Sequence, residues 1–307
     1  MIEVLNLVKT FGPFTAVNGI TFTVPRGEIF GFIGPNGAGK TTTMRVLSTL
    51  LEPTAGMARV DGMDVLEYPE QVRRTIGYMP DYAGVYEGID VWEYLDFFAG
   101  TYGVPRKKRK ATIEGVMELT DLGGLRHKLA TDLSKGMRQR LILAKTLLHD
   151  PAVLILDEPA AGLDPRARIE LRALLKELGA MGKTIIVSSH ILTELADMCT
   201  SVGILEKGAL VAAGSIQKII DRLNPGRTLA LRTFEPAKAV EALAAFTSVQ
   251  VIETLEKSVR FKHSGDENEV AGIVHTLAVA GIPILGLEEE KANLEDLFLR
   301  ITRGEVQ

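Results

Sequence analysis

Gly34-Pro35-Asn36-Gly37-Ala38-Gly39-Lys40-Thr41 is the stretch on which the fold turns. It follows Glu28-Ile29-Phe30-Gly31-Phe32-Ile33, an apolar run of strand length, and leads into Thr41–Leu51, which reads as a helix. The pattern G-x-x-x-x-G-K-[ST] between a strand and a helix is a phosphate-binding loop. Its glycines let the backbone turn so that successive N–H groups face one anion, and the helix adds the positive end of its dipole. In that frame Gly34, Pro35, Asn36, Gly37, Ala38 and Gly39 form the cradle and Thr41 and Thr42 open the helix. Lys40 reaches the β- and γ-phosphates of a nucleotide, and the Thr41 hydroxyl is a ligand for Mg2+.

Farther along, Val153-Leu154-Ile155-Leu156-Asp157-Glu158 sets two carboxylates at the end of another apolar run. An acid at the carboxyl edge of a buried strand suits metal binding, so Asp157 is the expected Mg2+ ligand. Glu158, one residue on, is placed to polarise an attacking water as general base. Ala152–Leu156, Lys183–Ser188 and Val202–Leu205 read as further strands, and the alternation with helical stretches is that of an α/β fold. Val91–Leu122 reads as helical, with Trp92, Leu95, Phe98 and Ala99 on one face and a break at Gly103–Pro105. We read it as a helical insertion into the α/β core.

Length and composition bound the rest. The chain has 307 residues, enough for two domains, with 46% apolar and 24% charged residues, which is ordinary for a folded protein. Lys and Arg number 35 against 39 Asp and Glu, a formal charge of −4, which argues against a nucleic-acid partner. The basic run Arg106–Lys110 reads as a solvated helix start. The lone cysteine, Cys199, excludes a disulfide scaffold and fits a reduced compartment. No run reaches ~18 apolar residues and the amino terminus carries no signal-peptide pattern, so any work at a membrane needs a partner.

Leu133-Ser134-Lys135-Gly136-Met137, followed by Arg138-Gln139-Arg140, resembles the LSGGQ signature of ABC ATPases. Asp157-Glu158-Pro159 and Ala161-Gly162-Leu163-Asp164-Pro165 resemble that family's Walker B and D-loop, and Ser188-Ser189-His190 its switch histidine. Phe11 stands where the family stacks an aromatic on adenine, with Val17 beside it. The resemblance runs from about residue 2 to 220. It implies a P-loop NTPase (ABC ATPase) core at 1–222 with its helical subdomain at about 85–148, binding ATP and Mg2+. It also implies a head-to-tail homodimer, each ATP lying between Gly34–Thr42 of one copy and Ser134–Gly136 of the other. His190 would contact the γ-phosphate and the water, and Asp164 would link the two sites.

The resemblance implies further that the chain is the ATPase subunit of an ABC transporter, cytoplasmic and peripheral on the inner face of the membrane, with a separate permease. A lone ABC domain followed by a short α/β tail resembles subunits of ABC-2 type exporters, including the daunorubicin-resistance ATPases. The alternative is a non-transport ABC ATPase acting on ribosomes or DNA. Two departures from the family stand out: Lys135 replaces a glycine, so the backbone there must suit an L-residue. Asp81, after Ile76-Gly77-Tyr78-Met79-Pro80, replaces the Q-loop glutamine and keeps an oxygen for the metal on a side chain one carbon shorter. Tyr82, Tyr86 and Trp92 form a candidate docking patch for the permease.

From 223 to 307 the character changes. Strand Thr228–Thr233, helix Pro236–Phe246, strands Ser248–Glu253 and Ser258–His263, helix Glu267–Ala280, strand Ile282–Glu288 and helix Leu294–Arg303 are expected. The order β-α-β-β-α-β predicts a ferredoxin-like α+β accessory domain. It holds no catalytic constellation, and packing on its twin or on the ATPase domain is the expected role.

Overall fold

The computed structural model describes residues 1–191, 195, 198–216, 218–219 and 227–290. The expected helix at Leu294–Arg303 lies outside the described residues. Contacts divide the chain into Met1–Ile216 and a unit that begins at Gln217.

The first unit carries two sheets. Strands β1 (Ile2–Phe11), β2 (Phe14–Val24), β4 (Ala55–Val60) and β5 (Met63–Asp64) form an antiparallel sheet in the order β2-β1-β4-β5. The second runs β10-β9-β3-β8-β7-β6, from β3 (Ile29–Ile33), β6 (Ile76–Met79), β7 (Val153–Leu156), β8 (Thr184–Ser189), β9 (Ser201–Glu206) and β10 (Ala209–Ser215). It is parallel except for its last strand, β10, which pairs antiparallel to β9. Every residue of β3, β7 and β8 is buried, which explains their unbroken apolar runs: a parallel strand is covered on both faces. Helix α1 (Lys40–Leu47) shares one core with both sheets, Met44, Val46 and Leu47 packing among Ile2, Phe22, Phe32 and Ile155. It is shorter than the sequence suggests, because Thr49 adopts φ 59° just beyond its cap at Ser48.

Strand β3 is the switch point of the parallel sheet, with β8 on one side and β9 on the other. Open α/β sheets bind ligands in the crevice at the carboxyl ends of such strands. Residues 34–39, 157–158 and 190 all emerge at those ends.

Between β6 and β7 lies the helical insertion. Helix α2 (Pro69–Thr75) precedes β6, while α3 (Val91–Thr101), α4 (Arg106–Leu119) and α5 (Lys135–Leu147) follow it. An Asp90–Glu93 capping box starts α3, and Gly103 (φ 74°) with Pro105 separates α3 from α4 as the sequence indicates. The buried face of α3 is Val91, Tyr94, Leu95 and Ala99, one register away from the stripe expected to begin at Trp92. Trp92 instead lies under the Arg126 guanidinium, 3.6 Å from its ring centre. Helix α6 (Pro165–Ala180) follows β7.

In the second unit β11 (Arg227–Arg232), α7 (Pro236–Leu243), β12 (Val249–Leu255), β13 (Ser258–His263), α8 (Glu267–Val279) and β14 (Gly286–Glu290) follow in turn. The sheet order β12-β13-β11-β14, antiparallel throughout, is the ferredoxin-like arrangement expected from the element order. Leu229, Leu231, Phe261, Ile273 and Leu277 fill its core.

One glycine fixes how β4 meets β1. A Cβ on Gly56, where φ is 85°, would overlap the Asn6 carbonyl and come 2.7 Å from the Leu7 Cα. Because backbone is in the way, Gly56→Ala is expected to destabilise the first unit by about 2–4 kcal/mol, read by urea unfolding.

Candidate ATP-hydrolysis site

The loop 34–39 is shaped by close approach as much as by turning. A Cβ on Gly34 would stand 2.5 Å from the Leu205 carbonyl oxygen at the end of β9, and one on Gly39 2.6 Å from the Ala16 carbonyl oxygen. Gly37 (φ 82°) and Gly39 (φ 104°) are left-handed, and Gly39 caps α1 without any side chain. Val17 is fully buried with Cγ2 against the back of Gly39, so it shapes the loop rather than offering open surface. Phe11, at the open end of β1, is half exposed with the Lys9 ammonium 5.2 Å from its ring centre.

Lys40 is almost wholly buried. Its ammonium donates to the Gly34 carbonyl (2.6 Å) and pairs with Glu158 Oε1 at 3.2 Å. The other carboxylate oxygen of Glu158 accepts from His190 Nδ1 at 2.9 Å, an arrangement that leaves Nε2 as the ring's other polar atom. A carboxylate accepts only, so this contact requires the proton on Nδ1. Glu158 sits at φ 47°, a left-handed conformation uncommon outside glycine, which turns its side chain off the end of β7. The base expected from the sequence is therefore held between a lysine and a histidine.

Asp157 is buried, and Ser188 ties it to its neighbour. The Ser188 hydroxyl donates to Asp157 Oδ1 (2.7 Å) and accepts from the Glu158 N–H (2.8 Å). Asp157 Oδ2 has no hydrogen-bond partner. Burial pushes the Asp157 carboxyl above its ordinary range, the hydrogen bonds from Ser188 and Thr41 oppose the shift, and the charges of Asp81 and Glu158 reinforce it. Two neighbouring acids, a threonine hydroxyl and an orphaned buried oxygen are a donor set that fits a small hard cation, which takes few protein ligands and keeps positions for phosphate oxygens. Ser188 is the residue whose role the sequence leaves unstated: a serine at the end of an apolar run carries no signal of what it will bridge.

Ser134, Gly136 and Asp164 gather elsewhere. Ser134 caps α5, accepting from Met137 N–H at 3.3 Å, and Asp164 caps α6, accepting from Ala167 N–H at 2.9 Å. Both are exposed. Among the described residues no hydrogen bond or ion pair joins any of the three to the 34–42 loop. Lys135 has no left-handed backbone, so its replacement of a family glycine costs no strain. Asp81 is exposed at the end of β6, near enough to Asp157 for its charge to be felt.

The patch beside the site differs from the expected trio. Tyr82 and Tyr86 are exposed, but Tyr86 stacks with Phe98 (6.3 Å between ring centres) and meets Phe97 edge-on. Phe98 continues to Tyr102 and lies under the Lys145 ammonium. Trp92 belongs to the Arg126 contact rather than to this aromatic row.

Comparison with known proteins agrees with this geometry. The ABC transporter family profile matches residues 17–161. The Nod factor export ATP-binding protein I of Burkholderia orbicola is 34% identical over 100% of this chain and 98% of its own length. The linearmycin resistance ATP-binding protein LnrL of Bacillus subtilis is 31% identical over 98% of both. A solved ATP-binding subunit of an ABC transporter, 32% identical, superposes with a TM-score of 0.65 over 72% of this chain and 92% of that one.

Ser188→Ala removes the bridge between the Asp157 carboxylate and the Glu158 backbone N–H while leaving the loop intact. ATP hydrolysis is expected to fall by roughly 10- to 100-fold with nucleotide binding retained, the usual cost of losing a group that orients a ligand. Steady-state kinetics alongside equilibrium binding of a fluorescent ATP analogue measures both.

Proposed function

This chain belongs to the ABC transporter ATP-binding family, and we propose that it powers export through a separate permease as a pair of copies sharing two ATP sites. The observation that carries the reading is the separation within one chain of two parts of a single reaction site. The loop, Asp157, Glu158 and His190 are together, while Ser134 and Asp164 are exposed and Gly136 half-buried, none of them bonded to the loop among the described residues. Residues of ligand-binding type held at two helix caps, open to solvent, suit a surface that a second copy completes.

The chemistry is ATP hydrolysis. Loop N–H groups and Lys40 hold the phosphates, Phe11 offers its open ring face to the adenine, and Val17 braces the loop. Triphosphate competes with Glu158 for the Lys40 ammonium, and the carboxylate so released accepts a proton from water as its oxygen bonds to the γ-phosphorus. The bond from that phosphorus to the β,γ-bridging oxygen breaks, leaving ADP and phosphate. His190 holds Glu158 and orients the water. Thr41, Asp157 and Asp81 are the residues that would hold Mg2+. Mg2+ supplies positive charge to the phosphate oxygens. Ser134 and Gly136 of the second copy would meet the γ-phosphate, and Asp164 would reach the site across the pair.

Export is carried over from the relatives, whose names speak of Nod factor export and linearmycin resistance. No helix among the described residues is long and apolar enough to cross a membrane. We therefore assign the path to a separate multi-span chain and place this one on the inner face of the membrane. The exposed row of Tyr82, Tyr86 and Phe97 is our choice of docking surface.

Two measurements test the reading. Glu158→Gln is expected to retain ATP while hydrolysis slows by roughly 10²–10⁴-fold, the range for loss of a general base; wild-type turnover would mean that the base is another residue. Affinity purification of the full chain from its own membranes is expected to bring down a multi-span protein, and Tyr86→Ala/Phe97→Ala to lose it. Ribosomes or DNA in its place would overturn the transport assignment.

A further inference from the structure

The basic run Arg106-Lys107-Lys108-Arg109-Lys110 plays no part in the ATP site, yet it concentrates charge in a chain whose formal net charge is −4. From Phe97 to Ile113 there are five cations and no acid. The run opens α4, and one of its members is turned inward. Arg109 Nε donates to the Val104 carbonyl at 2.9 Å, and its guanidinium lies 3.2 Å from where a Cβ on Gly100 would stand. Arg109 thereby fastens the start of α4 against the end of α3.

The other four cations have no such role. Arg106, Lys107, Lys108 and Lys110 are exposed and make no hydrogen bond or ion pair among the described residues. At about 100° per residue, Arg106, Lys107 and Lys110 share one sector of the helix surface. The next acid along α4, Glu114, is committed to Arg126 at 3.6 Å. The chain therefore supplies no counter-charge of its own to this corner.

On its α3 side the same corner is aromatic. Phe97 is 57% exposed and Tyr102 39%. Phe98 lies between them, its ring centre 5.2 Å from that of Phe97 and 6.1 Å from that of Tyr102. Phe97 also meets Tyr86, so the aromatic row chosen above as the docking surface runs straight into the basic corner. Exposed rings beside Lys and Arg are what interfacial segments combine: the rings settle at head-group level and the cations meet anionic lipid. An acidic protein segment would call for cations held in fixed geometry, and only Arg109 is so held. Four long side chains without fixed partners suit the diffuse negative field of a bilayer surface.

We propose that the α3–α4 corner, formed by Phe97, Tyr102, Arg106, Lys107, Lys108 and Lys110, binds the anionic lipid head groups of the membrane beside the permease. The proposal depends on the reading of this chain as a peripheral transporter subunit and goes beyond it: the chain touches the bilayer directly as well as through its partner. Lipid contact then keeps the Tyr86–Phe97 row facing the membrane.

The test is co-sedimentation of the full chain with vesicles of phosphatidylcholine alone and of phosphatidylcholine with about 30 mol% phosphatidylserine. Wild type is expected to bind the second kind selectively and to be released by about 0.5 M NaCl, since salt screens exposed charges. Each cation near an anionic surface adds about 5-fold to binding. Arg106→Gln/Lys107→Gln/Lys108→Gln/Lys110→Gln is therefore expected to weaken it by at least about 100-fold, with ATP hydrolysis in solution within about 2-fold of wild type. Arg106→Lys/Lys107→Arg/Lys108→Arg/Lys110→Arg, which keeps every charge, is expected to bind within about 3-fold of wild type. No preference for phosphatidylserine, or a glutamine variant that binds as wild type does, would overturn the proposal. A wild type that ignores both vesicles, with a glutamine variant that sheds the multi-span protein on purification, would overturn it in favour of an acidic permease segment. The vesicles hold no permease, so selective lipid binding by a chain that captures no multi-span protein would support the lipid contact and sink the transporter reading alone.

Discussion

Two backbone contacts with no room for a β-carbon hold the site in place. Gly34 is pressed against the Leu205 carbonyl at the end of β9, and Gly39 against the Ala16 carbonyl on β2. The phosphate loop is thereby wedged between the parallel sheet and the antiparallel one, and α1 is carried into the core they share. Everything polar in the site takes its position from that wedge. Lys40 is the first residue of α1, so anchoring Gly39 fixes where the buried ammonium emerges. The neighbouring strand ends then bring Asp157, Glu158 and His190 to it.

The site's own side chains neutralise one another's charges. Lys40 pairs with Glu158, Glu158 with His190, and Asp157 leans on Ser188. A buried charge without a partner is costly, so these pairings stabilise a site that would otherwise resist folding. They also hold the base against the lysine that the phosphates need, which links occupation of the loop to release of Glu158. Asp157 Oδ2, a buried oxygen without a hydrogen-bond partner, is where a cation would relieve that cost.

The sequence makes the cradle, Lys40, the two carboxylates and His190 legible because their spacing follows from chemistry: a loop between strand and helix, and acids at a buried strand's end. The ferredoxin-like order of the second unit is legible for a similar reason, since its alternating Val259, Phe261 and His263 mark one buried face. Helix α3 reads one residue out of register, because Trp92 and Tyr94 look equally apolar in sequence. Only the packing of Arg126 over Trp92 and of Tyr86 beside Tyr94 separates them. Ser188 escapes for a different reason. It acts by reaching Asp157, a residue distant in sequence, and no local pattern encodes a long-range reach.

The consequence that organises all of this is that one chain holds the loop and the base, while Ser134 and Asp164 wait exposed and Gly136 half-buried. Export and the permease are readings of a site that two copies finish. The most direct measurement is the mass of the Glu158→Gln chain by sedimentation with Mg2+ and ATP, then with Mg2+ and ADP. The account predicts twice the single-chain mass with ATP and the single-chain mass with ADP. The single-chain mass in both conditions would contradict it.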